Sequence, residues 1–229
     1  METIFISGIS SGIGKSLALL YAKKNVQVFG ISRRKLEYSH KNIKHMCLDI
    51  AKENDISKLR NFLPERLDLA ILNAAVLGTI NSMKDANLAE LKDVMQINMW
   101  GQKLIIDELL KKETSHIYAI SSGAAIKGSL GWSGYSLSKA ALNMLIQLYA
   151  SENKKTHFIA FAPGLVDTAM QEHICEKVDL NKFENMKRLK AARGTEKMPS
   201  PEEFAIKFDQ VLSKSSSLES GSYFDIRNT

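Results

Sequence analysis

The sequence predicts an α/β protein: a doubly wound, mostly parallel sheet with helices on both faces, folded as a single domain. Three observations predict it. Short apolar runs alternate with amphipathic stretches nearly throughout the 229 residues, and such alternation buries best as a parallel sheet between helix layers. A glycine-rich turn follows the first apolar run and opens a helical stretch. The composition is 45% hydrophobic and 24% charged, enough for a substantial core, and no Pro/Gly/Ser linker splits the chain.

The apolar runs place strands at 3–7, 26–31, 43–48, 67–72, 116–121 and 156–162, with a last one near 222–226. Helical periodicity fills the gaps between the first six, at 12–24, 53–62, 88–112 and 135–153. Right-handed crossovers then give the doubly wound arrangement. The serines at 213–217 read as a helix end and loop. Segment 168–199 breaks the alternation, being polar, lysine-rich and weakly periodic. It reads either as a lid over a binding site or as a solvated pair of surface helices.

Several classes are disfavoured. No apolar stretch approaches the ~18 residues of a membrane helix, and the opening METIFISGIS lacks a secretory pattern. Cys47 and Cys175 form no CxxC, which suggests a reducing, cytoplasmic setting without disulfides. The net charge of +6 suits an anionic partner, but the basic residues are scattered and no nucleic-acid motif accompanies them. The five histidines form no ligand cluster, so no metal is expected.

The turn reads Ser7-Gly8-Ile9-Ser10-Ser11-Gly12-Ile13-Gly14. Gly8, Gly12 and Gly14 allow close backbone approach, so that Gly8, Ser10, Ser11, Gly12, Ile13 and Gly14 would cradle a pyrophosphate at a helix N-terminus. A purely structural turn is the alternative. At the end of the second strand, Gly30-Ile31-Ser32-Arg33-Arg34 contains no acid. A carboxylate there would hold a ribose 2′-hydroxyl, whereas Ser32 and Arg33 suit a 2′-phosphate, so NADP(H) is favoured over NAD(H). Alternatively, Arg33 and Arg34 are solvated loop charges.

Tyr135 and Lys139 are four residues apart in a helical segment, which puts them on one face. Ser122 falls just past the fifth strand, at the carboxyl edge where such sheets bind ligands. With Asn98 in the preceding helical stretch, the order Asn98, Ser122, Tyr135, Lys139 resembles the catalytic tetrad of the short-chain dehydrogenase/reductase family. The glycine spacing resembles that family's TGxxxGxG, with Ser7 in place of Thr. The resemblance runs from Thr3 to about Ile226 and implies a Rossmann-type, nicotinamide-dependent oxidoreductase.

By that resemblance, Asp49 would contact the adenine, with a strand-end cap as its other reading. Asn73-Ala74-Ala75 resembles the NAG segment, with Ala75 in the glycine place. Ala162-Pro163-Gly164-Leu165-Val166-Asp167-Thr168 resembles the PGxVxT segment, so Pro163, Gly164, Val166 and Thr168 would meet the nicotinamide end. Tyr135 would protonate a carbonyl oxygen, and a nearby Lys139 ammonium would lower its pKa from ~10. Both Tyr135 and Lys139 would border the cofactor, Lys139 holding the nicotinamide ribose. Ser122, favoured over Ser121, would polarise that oxygen. Asn98 would support a proton-relaying water, or would simply be a satisfied kink residue. Tyr118 and Tyr149 read as core residues.

The C-terminal half resembles the sepiapterin reductase and benzil reductase branch, through Asp167-Thr168, Met170-Gln171 and Ser220-Gly221-Ser222-Tyr223-Phe224-Asp225. The likeness implies that Asp225 pairs with a substrate donor group, with an exposed strand-end carboxylate as the alternative. Met170, Met186 and Met198 would form an adaptable wall in segment 168–199, or the packing face of a lid helix. The expected activity is NADPH-dependent reduction of a ketone or dicarbonyl on a small, partly aromatic molecule, in a homodimer or homotetramer. Alternatives are an NAD(P)-linked alcohol or hydroxysteroid dehydrogenase and a non-catalytic NADP(H) sensor.

Overall fold

The computed structural model describes residues 1–228. Seven strands, β1 (Thr3–Ser7), β2 (Gln27–Ser32), β3 (Ile43–Cys47), β4 (Arg66–Leu72), β5 (Glu113–Ile120), β6 (His157–Ala162) and β7 (Tyr223–Asp225), form one sheet. Its order is β3-β2-β1-β4-β5-β6-β7 and every neighbouring pair is parallel. Parallel strands are covered on both faces, which explains why Ile4, Phe5 and Ile6 are consecutive, apolar and fully buried.

One face packs under α1 (Gly12–Lys23) and α9 (Pro201–Ser216), through Ile4, Ile6, Leu17, Tyr21, Phe161, Phe204 and Phe208. The Phe161 and Phe208 rings meet edge-to-face at 4.8 Å. The opposite face packs Phe5, Leu72 and Phe158 against Ile105, Leu142 and Ile146. The last three come from α5 (Gly101–Leu109) and α6 (Ser133–Glu152). Each layer removes a contiguous apolar surface from water.

Three expectations change. The stretch 53–62 is two short helices, α2 (Glu53–Ile56) and α3 (Leu59–Phe62). The stretch 88–112 is α4 (Leu88–Met95), a π-helical turn (Gln96–Trp100) and then α5. The helix end expected at 213–217 is the end of α9, whose start was not foreseen, although Ser200-Pro201 followed by Glu203 is a complete capping box with proline at the first position. Segment 168–199 holds α7 (Ala169–Lys177) and α8 (Lys187–Ala192). It is not merely solvated, because Ile174, Phe183, Met186, Leu189 and Met198 pack with Ile80 into a third apolar cluster. Among the described residues no helix is long and apolar enough to cross a membrane.

Candidate active site

Strand order reverses between β1 and β4, the switch point at which open parallel sheets bind ligands beyond their carboxyl ends. A cleft of about 510 Å³ lies there, lined by the glycine turn, the ends of β2, β4, β5 and β6, and part of α7 and α8. Gly8 and Gly12 adopt φ of 77° and 54°, left-handed values that favour glycine. A Cβ on Gly14 would lie 2.3 Å from the Gly8 carbonyl oxygen. The turn is pinned to β2 by the Gly8 amide, which donates to the Ile31 carbonyl at 2.7 Å. Ser7 Oγ accepts from the amides of Asn73 and Ala74, both at 3.0 Å. Asn73 Nδ2 donates back to the carbonyls of Ser7 and Gly8. Ser7 and Asn73 thus hold the ends of β1 and β4 in register, and Ala74 and Ala75 face the cleft.

At the end of β2, Ser32, Arg33 and Arg34 all line the cleft. Ser32 Oγ donates to the Arg34 carbonyl at 2.7 Å and lies 2.8 Å from His45 Nε2 on β3, so its hydroxyl hydrogen is already engaged. Burial lowers the His45 pKa, favouring the neutral ring. Arg34, not singled out from the sequence, reaches Ser11 Oγ at 3.3 Å and Ser10 Oγ at 3.5 Å across the mouth of the glycine turn. Asp49 lines the cleft, and its Oδ1 accepts from the Ala51 amide at 3.1 Å, the turn-capping arrangement.

Asn98 is fully buried in the π-helical turn. Its Oδ1 accepts from the Val76 amide, and its Nδ2 donates to the Val76 carbonyl and to Ser138 Oγ. Both amide hydrogens are therefore spent on the protein, one on the Val76 main chain and one on the Ser138 side chain. Helix α6 carries Tyr135 and Lys139, and the Lys139 Nζ lies 5.7 Å from the Tyr135 ring centroid. Ser122 Oγ accepts from the Ala124 amide at 3.1 Å and lies near enough to the Tyr135 hydroxyl to pull its pKa down. Ser121 instead turns inward and donates to Asn143, so Ser122 is the serine beside Tyr135.

Burial outweighs the expected lowering of the Tyr135 pKa. It pushes Tyr135 up to about 12, with Ser122 acting the other way. Burial brings Lys139 down to about 7, and its Nζ donates to the Ile120 carbonyl at 2.7 Å. The desolvation that keeps the phenol protonated also disfavours the ammonium meant to ionise it. Tyr118 is fully buried in the core, as expected, whereas Tyr149 is only half-buried, stacked on Phe158 and donating to Asp107.

On the far wall, Pro163, Gly164, Val166 and Thr168 all line the cleft. A Cβ on Gly12 would meet Thr168 Cγ2 at 3.3 Å, so Thr168 faces the glycine turn directly. A family model described as short chain dehydrogenase matches residues 2–179. The chain belongs to that family. It is a nicotinamide-dependent oxidoreductase of the short-chain dehydrogenase type, with the single Rossmann-like domain anticipated.

Among the relatives of this dehydrogenase, benzil reductase ((S)-benzoin forming) of Bacillus subtilis (strain 168) is 28% identical, covering 99% of this chain and 99% of that protein. A benzil reductase of Saccharomyces cerevisiae is 29% identical, over 76% of this chain and 75% of that one. The crystal structure of a short-chain dehydrogenase/reductase from Saccharomyces cerevisiae superposes with a TM-score of 0.87 at 24% identity, covering 99% of this chain and 96% of that one.

The dehydrogenase departs from expectation at its last strand. Asp225 is 7% exposed and is not part of the cleft wall. Its Oδ1 accepts from Arg227 Nε at 2.9 Å and its Oδ2 from Arg227 Nη2 at 2.6 Å. That pairing holds the carboxyl below its usual range. The carboxylate is therefore neither exposed nor turned to a ligand, and Arg227 takes the place at the cleft wall. Met170 lines the cleft, whereas Met186 and Met198 are buried in the third cluster. Sequence reasoning also missed Gln102, which is 1% exposed and donates to the Ala74 carbonyl at 2.7 Å.

Proposed function

We propose that this dehydrogenase reduces a ketone or vicinal dicarbonyl on a small, partly aromatic molecule with NADPH, using Tyr135 as the proton donor. The observation that carries the proposal is the convergence of Ser122, Tyr135 and buried Lys139 on one cleft wall, in a cleft that also takes in the glycine turn. The benzil reductase names of two relatives support the carbonyl class.

The residues present fit a nicotinamide dinucleotide. Gly14 has no room for a Cβ, and the first turn of α1 carries no acid, leaving helix-end amides for a pyrophosphate. Gly8, Ser10, Ser11, Gly12, Ile13, Asn73, Ala74 and Thr168 would hold the dinucleotide. Pro163, Gly164 and Val166 would border its nicotinamide, and Asp49 its adenine. Arg34, together with Arg33, would favour a 2′-phosphate, because β2 ends without a carboxylate, while Ser32, its hydrogen given to the Arg34 carbonyl, would hold the loop that carries them.

The bound cofactor supplies the hydride. Ser122, its oxygen already accepting from Ala124, turns its own hydrogen to the substrate oxygen and stabilises the charge that develops there. Tyr135 stays a neutral phenol at physiological pH, because its pKa is about 12, and so carries the proton to be delivered. Lys139, near 7, exchanges protons readily at neutrality and restores the phenol. Asn98 braces α4–α5 against Val76 and Ser138. Any water relay at this turn would run through its main chain.

The segment 168–199 acts as a packed wall over the substrate end. Exposed Trp100, Leu137, Met144 and Leu148 on the α5–α6 side of the molecule suit a homodimer or homotetramer. The free thiols of Cys47 and Cys175 suit the cytoplasm.

The test is NADPH oxidation by the purified chain with benzil, sepiapterin, aliphatic diketones and simple ketones. Tyr135→Phe should lower turnover by roughly 10²–10⁴-fold while NADPH still binds. Equal turnover in the variant would refute the assignment of Tyr135.

A further inference from the structure

Cations line the cleft along its length: Arg33 and Arg34 stand with Asp49 at the glycine-turn end, and the rest of the wall includes Lys127, Arg188 and Arg227 and, among the described residues, no Asp or Glu. These three cations come from separate parts of the fold: the loop after β5, helix α8 and the turn after β7. Such convergence is not required by packing, since all three side chains are exposed.

Arg227 is oriented by its neighbours. Its Nε and Nη2 are held by buried Asp225, while Nη1 makes no hydrogen bond among the described residues. A Cβ on Gly123, the residue after Ser122, would lie 3.0 Å from Arg227 Nη2, and one on Gly164 would lie 3.3 Å from its Cγ. The guanidinium is therefore laid across the main chain next to the serine that would polarise the carbonyl. Arg188 and Lys127 have neither an ion pair nor a side-chain hydrogen bond among the described residues. Nearby Arg193, by contrast, is committed to Asp167, Glu172 and Glu176. Arg193 thus has a structural role that Arg188 lacks.

A cleft lined with one sign of charge concentrates the opposite sign, and a planar guanidinium matches a carboxylate. We infer that the substrate is a keto acid, whose carboxylate is bound by Arg227 and Arg188 with Lys127 adding to the field. This rests on the carbonyl-reductase reading and narrows it: the reacting ketone would sit beside Ser122 and Tyr135, with the acid group toward the three cations.

The experiment compares benzoylformate with its methyl ester, which share the ring and the ketone but differ in charge. Binding to the full chain in the presence of NADP+ is measured by calorimetry, and turnover by NADPH oxidation. The acid should bind at least about tenfold more tightly than the ester, as a charge-assisted contact predicts. Added salt should weaken the acid alone.

The acid-to-ester ratio should fall toward one in Arg188→Gln/Lys127→Gln. It should also fall in Asp225→Asn/Arg227→Gln, which removes both partners and leaves no buried carboxylate unpaired. Equal binding of acid and ester by the native chain, or no binding of either, overturns the inference. So does a ratio unchanged in the variants while NADP+ binding weakens, which would assign the cations to the cofactor phosphates. Acid preference in binding without turnover of either compound would count against the carbonyl-reductase reading alone.

Discussion

Replacing Lys139 by Met separates the chemistry of this residue from its burden on the fold. Lys139 is 2% exposed, and burial moves it from 10.5 to about 7. That difference is a penalty of about 5 kcal/mol on the buried ammonium, or about 4 kcal/mol at neutral pH, where half the amines are already uncharged. Methionine keeps the length and apolar stem but leaves the Ile120 carbonyl, now 2.7 Å from Nζ, without its donor. That loss costs about 1–3 kcal/mol. The variant should therefore be inactive yet more stable, by about 2 kcal/mol at neutral pH.

The pH dependence gives the decisive sign. Because the folded-state pKa lies below the unfolded one, the unfolded chain holds the extra proton between about 7 and 10.5. The destabilisation is complete below pH 7, fades as pH rises, and is gone above 10.5. The native chain should gain on the variant by up to about 1.4 kcal/mol per pH unit, and the two should become equal near pH ~9. Urea unfolding of both proteins across this range measures the difference, in which other titrating groups cancel. A variant less stable at neutral pH, or a gap that does not change with pH, would show that the buried ammonium carries no such penalty.

Three further outcomes are expected. Gly14→Ala forces a methyl to within 2.3 Å of the Gly8 carbonyl; it should cost about 1–3 kcal/mol in thermal unfolding and abolish saturable NADPH binding. Arg34→Gln removes the charge that spans Ser10 and Ser11. It should raise the NADPH dissociation constant by about tenfold and leave NADH nearly unchanged, as fluorescence titration would show. Asn98→Ala strips the Val76 amide and carbonyl of their partners; a loss of about 2–4 kcal/mol should appear in denaturant unfolding.

Local features carried far in this chain. The strands at 3–7 and 156–162 were legible because their residues are apolar on both faces. The glycine turn was legible because a Cβ at Gly14 has nowhere to go. The i,i+4 spacing of Tyr135 and Lys139 follows from helix geometry and needed no coordinates. Both ends of α9 are local as well: the Ser200–Glu203 capping box marks its start and the serine run its end. The break at 96–100 was less accessible. A hydrophobic period averages over one inserted residue, whereas the residue after the π-turn, Gly101, packs against the Ile50 carbonyl, 2.8 Å from where its Cβ would be, a contact between distant segments.

Sequence alone therefore settled the order of the strands along the chain, the glycine turn and the types of the residues beside it. These depend on side-chain periodicity and backbone freedom over a few neighbours. Tertiary structure decided which of two residues two positions apart faces the cleft, Asp225 or Arg227, because the carboxylate finds its partner by folding back on the arginine. It also decided that Arg34 spans the glycine turn and that Lys139 sits near neutrality rather than above it. Charge, direction and solvation at those positions are set by groups distant in the chain, and a pKa follows the water removed by the whole fold, which no local pattern contains.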